Sequence, residues 1–117
     1  MAVTYDQMKK WVLALPGTSE AFVERWGEFT LRCGEKILVI GDPSSSFASV
    51  KASVEDQGEL LALAPGTYEK AAYVGRYGWV RVNLRKAKAA ELRPVIEDAW
   101  RRTAPKKTVK AYDSAQR

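Results

Sequence analysis

Apolar positions recur at helical spacing at the start of the chain, where Met8, Trp11, Val12 and Leu15 fall on one side. Thr4 and Gln7 have the spacing of a capping box, and Val3 and Met8 stand where a hydrophobic staple closes. Pro16-Gly17 ends that helix. The pattern then shortens to a period of two. "AFVERW" (21–26) reads as a first strand. "FTLRC" (29–33) puts Phe29, Leu31 and Cys33 inward and Thr30 and Arg32 outward. Gly34-Glu35 is a two-residue turn into "KILVI" (36–40). "GDPSSS" (41–46) is a loop. In "FASVKA" (47–52), Ala48, Val50 and Ala52 face away from Phe47, Ser49 and Lys51.

Ser53 followed by Val54, Glu55 and Asp56 marks a helix start, with Val54, Gln57, Leu60 and Leu61 as its stripe. "APGTYEK" (64–70) reads as a loop. The stretch "YVGRYGWVRVNL" (73–84) opens with Gly75 and Gly78, which suit a positive φ or a bulge, and ends in strict alternation. Val80, Val82 and Leu84 share one side; Trp79, Arg81 and Asn83 share the other. A last helix spans 89–103 with Leu92, Ile96, Ala99, Trp100 and Thr103 inward. Pro94 requires it either to begin near that residue or to bend. Residues 1–105 form one domain on this reading, and 106–117 a basic, polar tail that docks loosely at most.

The order of elements predicts an α+β fold, an antiparallel sheet with helices packed on one face. The other face is left open. Trp11, Leu31, Val80, Val82, Ile96 and Trp100 are expected in the core, with Cys33 as a packing residue. Thr30, Arg32, Ser49 and Lys51 are expected beside Trp79, Arg81 and Asn83 on the open face.

Charge sharpens this picture. Residues 1–69 carry six Lys/Arg against ten Asp/Glu, a net of −4. Residues 70–117 carry thirteen against four, a net of +9. An anionic partner is the functional reading of that asymmetry, and solvated surface charge the competing one. Arg76, Tyr77, Trp79, Arg81, Arg85, Lys86 and Lys88 lie within thirteen residues, with Lys51 and Arg32 beside them on the predicted sheet. Cations neutralise phosphates and rings stack on bases, so these nine are the candidate nucleic-acid contacts.

The chain has no histidine and one cysteine. Histidine-based catalysis, histidine-ligated metals, thiolate clusters and C-x-x-C redox chemistry are therefore excluded. The carboxylate pairs Glu20/Glu24 and Glu55/Asp56 are the remaining catalytic candidates, and solvated charge is preferred for both. No catalytic residue, metal or cofactor is expected. The longest apolar runs fall far short of the ~20 residues that span a bilayer, and the N-terminus lacks a secretory h-region. A cytoplasmic monomer without membrane contact is expected.

"LALPGTSE" (13–20), the hairpin around "GEKILVI" (34–40), "ALAPG…YVGRYGWVRVNL" and "LRPVIEDAWRRTAPKK" (92–107) resemble the MmcQ/YjbR family. The most specific pieces are the "LPG" after the first helix and the pattern Tyr73, Arg76, Trp79, Val80. The resemblance implies a CyaY-like fold, similar to bacterial frataxin, and DNA binding by a "double wing" arrangement. Many relatives place Asn-Lys-(Lys/Arg)-His before the tryptophan, where this chain has Gly75-Arg76-Tyr77-Gly78. A role for that histidine does not transfer. Frataxins bind iron on an acidic ridge of the first helix; here that helix shows Asp6, Lys9 and Lys10. Use of the open face for a protein partner is the alternative the frataxin likeness implies, and a phosphorylated small molecule is a third.

Overall fold

The computed structural model describes residues 2–116. The elements run α1 (Tyr5–Leu13), β1 (Thr18–Val23), β2 (Glu28–Cys33), β3 (Lys36–Gly41), β4 (Phe47–Val50), α2 (Val54–Leu63), β5 (Tyr68–Lys70), β6 (Val80–Asn83), α3 (Ala89–Thr103) and α4 (Lys106–Ala115). The fold is α+β. One six-stranded sheet has the order β1-β2-β3-β4-β6-β5, with every neighbouring pair antiparallel.

Local signals account for most boundaries. Thr4 Oγ1 accepts from the Gln7 backbone N–H, and Ser53 Oγ accepts from the Asp56 N–H, so both predicted N-caps form. Between Leu31 and Arg32 the β2–β3 register shifts: Leu31 faces Val39 and Arg32 faces Ile37. Leu38 is the extra residue of this bulge, and Leu38 and Val39 are consecutively buried as a result.

Leu31, Val39, Val50, Val80 and Val82 line the covered face of the sheet. Met8, Val12, Leu92, Ile96 and Trp100 from the helices close the core against them. Trp100 is fully buried, and its indole N–H donates to Pro16 O at 2.9 Å, tying α3 to the end of α1. Cys33 is buried in the same cluster, as read from the sequence. Trp11 departs from expectation: it packs only partly against the core, with Arg93 5.9 Å from its ring centroid.

Three segments differ from the sequence reading. The first strand is Thr18–Val23, three residues earlier than 21–26, and Trp26 is exposed beyond it. Thr18 is held there by its hydroxyl, which donates to Val12 O and Leu15 O. The segment read as a 64–70 loop contains β5, a three-residue strand on the free side of β6. The segment read as a loosely docked tail contains α4. Its Tyr112 meets Trp100 edge-on at 5.0 Å, and its Asp113 accepts two hydrogen bonds from Arg101 at 2.8 and 2.6 Å. α3 runs through Pro94 as one helix from Ala89, with Pro94 exposed in its second turn.

Candidate nucleic-acid interface

The open face is read directly from the register. Across the sheet, Ala21, Thr30, Ile40, Ser49, Arg81 and Glu69 stand in one row. Arg81 sits between two partners. Its guanidinium lies 3.7 Å from the Phe47 ring centroid, and its Nη1 donates to Glu69 Oε1 at 2.5 Å. Its charge is thus opposed within the sheet itself. Arg32 is also engaged: its Nε donates to Thr30 Oγ1, which donates on to Ala21 O. That chain explains how Thr30 is buried on a face that is otherwise open.

Two clefts flank the Arg81–Phe47 stack. One of about 130 Å³ includes Glu28, Asp42 and Ser49; the other, about 210 Å³, includes Thr67, Glu69 and Asn83. Both are smaller than the ~300 Å³ at which small-molecule sites begin, and both carry carboxylates that oppose a phosphate. The Asp42 carboxyl is held below its ordinary range by the hydroxyl and backbone N–H of Ser44.

The remaining candidates separate to the two ends of β6, about 13 Å apart for a four-residue strand. At its C-terminal end, Arg85, Lys86 and Lys88 are exposed on the turn into α3. Lys86 Nζ lies close over Gly66, on the neighbouring loop into β5. At its N-terminal end, Arg76 and Tyr77 occupy a 3-10 turn, Gly75–Tyr77, with Arg76 4.9 Å from the Tyr77 ring centroid. None of Arg76, Arg85, Lys86, Lys88 or Lys51 forms an ion pair with another described residue.

Trp79 is corrected. Alternation predicts an exposed stacking ring, but it is only 9% exposed. The loop before it folds tightly rather than extending the strand, and its backbone is gripped from α2. Gln57, buried, donates from Nε2 to Gly75 O at 2.7 Å and Trp79 O at 2.8 Å. Ala71 N–H also donates to Trp79 O, at 3.2 Å. Both glycines are required by this packing. At Gly78, with φ +106°, a Cβ would sit 2.5 Å from Ala52 O; at Gly75 it would sit 2.6 Å from Lys70 Cγ.

The rings of this loop that reach solvent are instead Tyr73, 96% exposed, and Tyr77, 62% exposed. Sequence reasoning missed Tyr73, Gln57, Phe47 and Glu69 as site residues. Alternation alone places Phe47 beside Ser49, and that signal was available. Glu69 is hidden because β5 reads as loop, and Gln57 because it occupies an apolar-stripe position.

One carboxylate of each candidate pair carries a structural duty. Glu20 accepts from the Tyr5 hydroxyl at 2.8 Å and from Lys9 at 3.2 Å. Asp56 pairs with Arg102 across α2 and α3.

A family model described as YjbR matches residues 13–102. The chain belongs to the YjbR family. The match spans β1 through most of α3 and contains all nine candidate residues; α4 lies beyond it. Among curated proteins, uncharacterised proteins of Mycobacterium bovis and Mycobacterium tuberculosis are 28% identical over 127 residues, covering 93% of this chain and 95% of theirs. Among solved structures, the Deinococcus radiodurans protein DR2400, carrying the family domain DUF419, superposes with a TM-score of 0.74. It is 19% identical, covering 83% of this chain and 75% of that one, and supports the α+β fold. No described helix is long and apolar enough to cross a membrane.

Proposed function

We propose that this YjbR-family protein binds nucleic acid through the cations at the two ends of β6, with contacts mainly to phosphate. The observation that carries this reading is that Arg76, Arg85, Lys86 and Lys88 are exposed and without ion-pair partners among the described residues. Three other cations of the basic C-terminal half are paired locally: Arg81 with Glu69, Arg102 with Asp56, and Arg101 with Glu97 and Asp113; Lys106, Lys107 and Lys110 on α4 are exposed and unpaired among the described residues as well. Of the other two candidate cations, Lys51 follows β4 and borders α2 and α3 beside Asp56 and Asp98, and Arg32 is on β2, three strands from β6, so neither joins the two ends. Phosphate contact of this kind is sequence-tolerant.

A second reading, docking of a protein partner on the open face, draws on one observation. The Phe47–Arg81–Glu69 cluster, towards the β5 edge of that face, is mixed in character rather than purely basic.

Binding of labelled oligonucleotides across several salt concentrations tests the proposal. Affinity of the wild type should fall linearly on a log–log plot, because each neutralised phosphate releases counterion. Replacing Arg85, Lys86 and Lys88 together with alanine should weaken binding to all sequences alike. It should also lower the magnitude of the slope by roughly one for each phosphate that is no longer neutralised. No binding at low salt would overturn the proposal. An unchanged slope would remove the β6–α3 turn from the site and point to Lys106, Lys107 and Lys110 on α4.

A further inference from the structure

The loop between β5 and β6 is built around an unusual residue. Tyr73 is the single non-glycine residue at positive φ among those described, at +62°. It is central to a three-residue turn closed by Val74 N–H donating to Ala72 O at 2.6 Å. The γ-turn with a positive central φ is the rare, strained form, and an aromatic side chain there is less comfortable than glycine or asparagine. Yet the ring gains no packing in return, since it is almost wholly exposed.

The surrounding backbone is over-determined. Tyr77 N–H donates to Val74 O and Gly78 N–H to Gly75 O, both at 3.0 Å. The buried Gln57 amide fixes Gly75 O and Trp79 O from behind, and a side chain at either Gly75 or Gly78 would clash with its neighbours. Strain retained in a rigid loop that presents side chains outward is a mark of a preorganised site. The loop presents two tyrosine rings and one cation, Arg76. Residues 70–79 contain no carboxylate.

We infer that this loop is a stacking platform for unpaired bases, with Tyr73 and Tyr77 as the rings and Arg76 on the adjoining phosphate, so that the protein prefers single-stranded nucleic acid to duplex. The inference rests on the nucleic-acid reading above. Charge complementarity argues for a polyanion, and two exposed rings four residues apart argue for flat partners. Bases in a duplex are already stacked on each other and offer no face to a side chain. This assigns to Tyr73 and Tyr77 the role the sequence pattern suggested for Trp79.

The test compares a labelled oligothymidylate with a duplex of equal length, by fluorescence anisotropy at one low salt concentration. Tyr73→Gly removes the ring at a position where glycine suits the backbone, so folding is preserved; Tyr77→Ala removes the second, exposed ring. Tyr73→Phe keeps the first. The wild type should bind the single strand more tightly. Tyr73→Gly and Tyr77→Ala should each weaken single-strand binding by about 5- to 150-fold with duplex affinity little changed, and Tyr73→Phe should match the wild type. If the wild type binds DNA but neither ring-deleted variant shifts the single-strand preference, or both forms weaken equally, the platform is wrong and the phosphate-contact reading stands. If the wild type binds neither oligonucleotide, both fail.

Discussion

Tyr5 ties α1 to the sheet through a single hydroxyl. Its ring is buried, and burial followed by the hydrogen bond to Glu20 pushes the phenol well above its ordinary range. Tyr68, also buried, is pushed up by desolvation and by Glu91. For a raised phenol the neutral form is the one the fold favours. Its stabilisation is complete below the ordinary pKa of about 10 and is lost as pH rises past that value towards the raised one. Chemical denaturation at neutral and strongly alkaline pH should therefore show a falling midpoint. Tyr5→Phe should lower stability by about 1.5 kcal/mol at neutral pH and reduce the alkaline loss. An unchanged alkaline loss in that variant would assign the effect to other groups. At this scale the sequence was legible where the pattern governs: Val80, Val82 and Leu31 are buried and Arg81 is on the open face, as alternation requires. Trp79 was not legible, because its burial follows from a loop whose shape depends on Gln57, 22 residues away.

Elements were legible in proportion to their local signals. α1, α2, α3 and the β2–β3 hairpin carry caps, turns or clear periodicity. β5 has three residues, too few to show a period, and exists because β6 offers an unpaired edge. α4 has no side-chain N-cap, and only Val109 and Tyr112 form its apolar stripe. Its helix is stabilised by what it meets: the edge of Trp100 and the guanidinium of Arg101. Trp100 therefore joins the core to a helix that would not be stable alone. Trp100→Ala should destabilise the protein by roughly 3–5 kcal/mol, as for other buried tryptophans, and the α4 amides should lose hydrogen-exchange protection. A loss under about 1 kcal/mol, the size of an ordinary surface change, would mean that α3 and α4 do not dock as described.

At the scale of the whole molecule, the charge asymmetry along the sequence resolves into paired and unpaired cations. Arg81, Arg101 and Arg102 are paired, while Arg76, Arg85, Lys86 and Lys88 beside β6, and Arg93, Lys106, Lys107 and Lys110 on the helices, form no ion pair among the described residues. The α+β architecture was legible because a helix-strand-helix-strand-helix order with antiparallel strands leaves few alternatives. The shape of the interface was not, since ion pairing depends on contacts such as Arg81–Glu69 that span a strand missed in the sequence. The central claim is that nucleic acid meets this protein at both ends of β6. Backbone amide shifts of isotope-labelled protein, recorded while a single-stranded oligonucleotide is titrated in, test it most directly. The account predicts saturable shifts concentrated in residues 73–79 and 84–88, with β1 and α1 unmoved. Shifts confined to 101–113, or none at low salt, would contradict it.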